Sequence, residues 1–386
     1  MSTYDDYQDD DNEVSDSQLT FENKVIKSFQ FMNSYTAYDT LTILYSKILS
    51  FNHFPKSLKQ LDILYCQVQN LNGIQNGVQL ESLNIEQGNI NKIDCIKSLA
   101  NLQKFCIANN KIDDLDGIQH LKNIEYLDMS ANCINNLSLL NNLNKLTVLK
   151  IHTNNIENIT VIKLFTNLVE LILNNNQIDN IQSIQHCHNL AVVDLSKNKI
   201  KEVASLKYLT QLESLKISHN LLTDISQLKN LTNLQELQIQ NNQICDISCL
   251  ANFSQLAVLN AAENQICEAQ VLENLVNICQ LYLSKNMIVD LSPILKHNPK
   301  RYKRVIDSYQ RDQRSPTTRN LIVSKQEKII YNINELHIQI KNNSKNNQIH
   351  IQNFRPKIST ILQIVLNQQV QLADKVILFL NCWQQQ

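Results

Sequence analysis

Three clusters of chemistry-bearing residues lie along this chain, and each names a reaction that its spacing can test. His186-Cys187-His188 offers the imidazole and thiolate ligands that hold zinc. Asp113, Asp114 and Asp116 offer neighbouring carboxylates, the groups that divide acid and base work. Cys245 and Cys267 offer two thiols, and His152 and His219 two imidazoles that a nucleophile would need as base. Four glycines in 386 residues leave no material for a phosphate-cradling loop.

The elements that would position these groups come from a repeat. Rows of 22 residues starting at Leu58 align the chain to Pro299 without an insertion, giving eleven rows. The row that starts at Leu146 sets Leu146, Leu149, Ile151, Asn154, Ile156, Ile159, Ile162 and Phe165 on the repeated positions. Leu149 and Ile151 step by two, which predicts a short strand with both side chains on one face. Ile156, Ile159, Ile162 and Phe165 step by three, which predicts a 3₁₀-like turn. A row this short cannot bury its own apolar face, so the rows must stack into a right-handed parallel solenoid with strands on the concave side.

In this frame the clusters dissolve. Cys187 falls on a core position filled by Leu or Phe elsewhere, which turns it away from its two histidines. Asp114 shares its column with Asn70, Asn136, Asn158, Asn180, Asp224, Asp246 and Asp290, residue types that cap helical starts. His152 and His219 stand three rows apart. Cys245 and Cys267 share a column in adjacent rows and are expected to be a reduced pair. No catalytic residue, cofactor site or metal site is expected.

One polar column runs through the rows: Asn110, Asn132, Asn154, Asn176, Asn198, Asn220, Asn242, Asn264 and Asn286, with Cys66 and Gly88 in the first two rows. An amide both donates and accepts, so this ladder is expected to satisfy backbone groups where the chain leaves the strand.

Beyond the rows, residues 1–20 form an acidic start (Asp5, Asp6, Asp9, Asp10, Asp11, Glu13, Asp16) too poor in apolar residues to order. Residues 21–57 are expected to be a helical cap over 21–35 and a shortened first repeat, in which Leu41, Ile43 and Tyr45 echo Leu61, Ile63 and Tyr65. Residues 300–386 open on a basic run (Lys300, Arg301, Lys303, Arg304, Arg311, Arg314, Arg319), with Ser315-Pro316 as a phosphorylation motif inside it. They close on a helix with the stripe Ile361, Val365, Leu372, Val376, Phe379 and Trp383, which either caps the last rows or binds a partner.

A net charge of −1 gives no pull toward nucleic acid or membrane, and neither is expected as a partner. Ten cysteines without a CxxC pair, and a start without a secretory leader, predict a reduced, intracellular protein in the cytoplasm, with nucleus and cytoskeleton open.

The row LxxLxIxxNxIxxIxxIxxL resembles the leucine-rich repeats, and within them the SDS22-like subclass named for a regulatory subunit of protein phosphatase 1. The likeness covers residues 38–299. It implies an α/β solenoid, a right-handed leucine-rich-repeat superhelix with a concave parallel β-sheet and convex 3₁₀ or short helical turns. It also implies a protein partner on the concave face. The matching outward positions hold Tyr126, Asp128, Lys150, His152, Glu170, Ile172, Asp194, Lys216, His219, Glu236, Gln238 and Tyr282. The expected function is a non-catalytic scaffold with no small-molecule substrate. A phosphatase catalytic subunit is the narrower partner, and a structural role in cytoskeletal or ciliary assemblies the competing reading.

Overall fold

The computed structural model describes residues 14–15, 18–35 and 37–288. They lie in the first of two compact units, which divide at Tyr309 and Gln310. The acidic start up to residue 13, the last row from 289, the basic run and the C-terminal stripe lie outside the described residues.

Thirteen parallel strands, one per coil, form the main sheet, beginning with Gln18–Glu22, Thr40–Leu44, Gln60–Leu64 and Ser82–Glu86 and ending with Gln280–Tyr282. A short edge strand, Val14–Ser15, pairs antiparallel with the first of them. From Lys104–Cys106 onward each strand is three residues long and every pairing keeps the 22-residue register, as in Tyr126↔Val148 and Leu127↔Leu149. A second, three-stranded ribbon of Val25–Ile26, Lys47–Ile48 and Gln67–Val68 closes the first coils from the other side.

The step of three is built as expected. Ile162 N–H donates to Ile159 at 2.9 Å, Phe165 to Ile162 at 2.9 Å and Leu168 to Phe165 at 3.1 Å, around the 3₁₀ segment Thr160–Leu164. Leu146, Leu149, Ile151, Ile156, Ile162 and Phe165 are fully buried in one continuous core. Each such side chain stabilises the fold by about 1.5–3 kcal/mol relative to exposure.

Two expectations change. Residues 21–35 are not a helical cap but one more coil: Phe21 lies in the strand Gln18–Glu22, paired with Thr40–Leu44, and the only helical part is the 3₁₀ segment Gln30–Ser34. Phe21, Phe29 and Phe51 are fully buried there, and the Phe29 and Phe51 rings stack at 5.1 Å, so aromatic bulk does the work that aliphatic columns do later. The Asn/Asp column before each 3₁₀ segment does not cap it from the N-cap position. Asn158 sits one residue earlier, where its Oδ1 accepts the N–H of Thr160 at 2.8 Å, the turn made by a side chain that mimics a backbone carbonyl.

The asparagine column ties coil to coil. Asn154 Oδ1 accepts the N–H of Ile134 at 2.9 Å, while its Nδ2 donates to Met129 at 3.0 Å in the previous coil and to Ile151 and His152 in its own. At the start of the stack Ser46 and Cys66 stand in: Ser46 Oγ accepts from Lys24 N–H at 3.0 Å and Cys66 Sγ from Ser46 N–H at 3.3 Å. Just before this column, thirteen residues from Asn23 and Tyr45 to Glu263 and Lys285 hold φ between 49° and 58°. The chain therefore leaves every strand through one left-handed residue.

Candidate partner-binding face

Outward side chains of the main sheet fall into columns because the parallel register never slips. In three-residue strands such as Tyr126–Asp128 and Val148–Lys150 the central residue, Leu127 or Leu149, is buried, and the residues on either side project from the sheet, half-buried by one another.

At the centre of the face four neighbouring coils build one cluster. Tyr126 lies between two ammonium groups, Lys104 Nζ at 5.3 Å and Lys150 Nζ at 5.7 Å from its ring centroid. Lys150 Nζ then reaches Glu170 Oε1 at 3.0 Å in the next coil. Val148, between Tyr126 and Glu170 in register, and Ile172, beside Lys150, add half-buried apolar surface. Burial pushes the Tyr126 phenol up, partly offset by the Lys150 charge. For Lys150, burial works against the charge, but the Glu170 bond and the neighbouring Tyr126 and Asp128 outweigh it and hold the ammonium above its ordinary value.

A second cluster lies further along. Glu236 accepts from Ser214 Oγ at 2.8 Å and Gln238 Nε2 at 2.6 Å, and Lys216 Nζ stands 3.4 Å away. Burial alone would raise the Glu236 carboxyl; these two hydrogen bonds and the Lys216 charge hold it below its ordinary value instead. Beyond it a depression of about 640 Å³ is lined by residues that include Gln235, Glu236, Gln238, Asn260, Gln280 and the exposed Tyr282.

The remaining residues sit apart from these clusters. Asp128 and Asp194 each turn one carboxylate oxygen back onto their own strand exit, accepting from Ser130 and Ser196 N–H at 2.9 Å. His152 follows the strand and contacts Thr153 Oγ1 at 3.1 Å, whereas His219 is itself the left-handed residue of its coil. The two histidines thus occupy different columns as well as different coils. Cys187 is fully buried, its Sγ donates to the Ile162 carbonyl, and desolvation pushes the thiol up to about 11, while His186 and His188 are exposed. Among the described residues no three ligand-type side chains converge on a metal position. Cys245 and Cys267 are free thiols, both exposed.

Several surface residues escape a reading by residue type. Lys104 occupies the Tyr126 column one coil earlier, and only the register reveals that it faces the ring. Tyr45 and Tyr65 stack at 5.4 Å with 11° between their planes, and both are more than half exposed, on the left-handed positions of two early coils.

A family model described as leucine-rich repeats in two copies matches residues 100–142, 166–208 and 210–252. Among solved structures, the chain is similar to an internalin (inlF) of Listeria monocytogenes, at 28% identity and a TM-score of 0.69, over 73% of this chain and 84% of that one. It is also similar to the leucine-rich-repeat protein LIC12759 of Leptospira interrogans, at 21% identity and a TM-score of 0.53, over 74% and 88%. A third likeness is to the plant peptide hormone receptor RGFR1, solved in complex with RGF2, at 20% identity and a TM-score of 0.55, over 70% and 51%. A comparison with curated proteins found no match. The chain is a leucine-rich-repeat protein. Among the described residues, no helix is long and apolar enough to cross a membrane.

Proposed function

We propose that this chain is a non-catalytic scaffold that holds one folded protein on its concave strand face. The observation that carries this reading is the contiguous patch Tyr126, Val148, Lys150, Glu170 and Ile172, which joins an aromatic ring, two aliphatic side chains and a charged pair on rigid strands. Large aromatic side chains at the centre of a surface, ringed by polar groups, dominate binding energy at protein interfaces. Asp128, Asp194, Lys216, His152, His219, Glu236 and Tyr282 extend the contact along the coils. Affinity purification with the full chain, repeated with Tyr126→Ala/Lys150→Ala, tests it. Loss of the partner is expected, and a variant that keeps every partner ends the reading.

The narrower reading makes that partner a phosphatase catalytic subunit. It is supported by the SDS22-like row and by the recurrence of Asp128, Glu170, Asp194 and Glu236 on the outward columns. Ion pairing of Glu170 with Lys150 and of Glu236 with Lys216 leaves less free acidity for a basic partner. A pull-down that recovers no phosphatase catalytic subunit removes this reading and leaves the broader one standing.

A further inference from the structure

The last residues of the 3₁₀ segments and the turns that follow them carry a charge pattern of their own. Five consecutive positions per coil, from residues 75–79 to 251–255, hold Lys97, Lys122, Lys145, Lys163, Lys207 and Lys229 and not one Asp or Glu in nine coils, the run ending at Glu273 in the next coil. At the chain's average of 36 acids in 386 residues, those positions would hold about four. Acids stand on both flanks instead, at Asp94, Asp116 and Asp224 before the turns and Glu81, Glu125 and Glu213 after them.

This edge is a solvated surface whose ammonium groups meet no carboxylate: Lys145 Nζ donates to Asn123 Oδ1 at 2.8 Å and Lys207 Nζ lies over the Tyr208 ring. Five of the six lysines are exposed, Lys207 is half-buried, and none joins an ion pair within 4 Å among the described residues. From Lys97 to Lys229 the edge crosses six coil spacings, roughly 30 Å at about 4.8 Å each. Its backbone is fixed by a second amide ladder: Asn101, Asn123, Asn167, Asn189, Asn233 and Asn277 each donate Nδ2 to a carbonyl of the preceding coil at 2.7–3.2 Å. Apolar tips rise within it at Val78, Leu164 and Tyr208, and the last two, at 41% and 49% exposure, stand two coils apart on one column with the exposed His186 between them.

We propose that this edge docks an acidic segment of a partner protein, with carboxylates on Lys163, Lys207 and Lys229 and an apolar side chain against Leu164 and Tyr208. A rigid row of ammonium groups without competing acids complements a carboxylate-rich peptide along its length. Nucleic acid fits less well because Lys207 Nζ covers the Tyr208 ring at 4.8 Å, which takes a face that a base would stack on. A lipid surface fits less well because only two apolar tips stand among the lysines, beside the polar Asn142 and Asn230.

The test uses the full chain and a fluorescein-labelled polyglutamate peptide with one central leucine, read by anisotropy. Binding that weakens as salt rises and falls about tenfold in K163E/K207E/K229E is expected. It should persist in Tyr126→Ala/Lys150→Ala, which separates this edge from the concave face. Should the charge reversal unfold the protein, glutamine at the same three positions decides the case. Equal affinity in the lysine variants, or capture of phosphatidylserine vesicles or a single-stranded oligonucleotide with none of the peptide, overturns the proposal.

Discussion

Asn110 Oδ1 accepts the backbone N–H of Gly88 at 3.0 Å, so the coil that has glycine in the amide column is served by the side chain of the next coil. The same oxygen accepts from Ile90 N–H at 2.9 Å, and Asn110 Nδ2 donates to Ile85, Ile107 and Ala108. Asn154 serves one backbone N–H with its oxygen. Replacing Asn154 by Ala should therefore cost about 1–3 kcal/mol, the penalty for buried backbone groups left unpaired, and Asn110→Ala about 1 kcal/mol more. Urea unfolding midpoints of the two variants check both the size and the order.

The left-handed column accepts Asn at Asn23, Asn109, Asn175 and Asn241 but holds Ala131 at φ 52°. The Cβ of any residue but glycine crowds the following carbonyl in this region, and asparagine tolerates it better than alanine because its short amide can hydrogen-bond locally. Ala131→Asn should stabilise the protein by about 0.5–1 kcal/mol, read as a higher thermal midpoint. A lower midpoint would mean that the column is set by something other than backbone strain.

On the concave face, Lys150→Ala removes a contact to Tyr126 and the pair with Glu170 at once. Partner affinity should fall about tenfold or more, as for the central residues of other interfaces, with little change in thermal stability because water still reaches and screens this half-buried pair. Titration calorimetry with the purified partner, alongside a melting curve, separates the two effects.

Glu236 ties stability to acidity. Its folded carboxyl lies below the ordinary 4.5, so the unfolded chain binds the proton first as pH falls. The contribution is complete above that ordinary value and is lost as pH drops through the folded one. Acid titration of the wild type should show this loss below about pH 4.5, and Glu236→Gln should lose less over the same window. Identical acid profiles would show that the Ser214, Gln238 and Lys216 contacts add nothing to folding.

The solenoid could be read from the sequence because its core repeats by residue type: Leu149, Ile151 and Phe165 have counterparts in almost every row, and Asn154 names its own hydrogen bonds. The first coil could not, because Phe21, Phe29 and Met32 replace the aliphatic pattern there. The left-handed column hides for a different reason. Its conformation is imposed by the neighbouring coil, and residues as unlike as Thr153, Lys197 and Glu263 share it. On the outward face, the positions of Tyr126, Lys150 and Glu170 follow from the strand period, but the meeting of Lys104 with Tyr126 depends on a register between coils that no single row contains.

Because the amide ladders and strand pairings join residues only about 20–25 apart in sequence, pulling the chain from its ends should release one turn of the stack at a time. Each release would lengthen the tether by roughly 75 Å, the contour of 22 extended residues, so the force trace would be a staircase of near-equal steps.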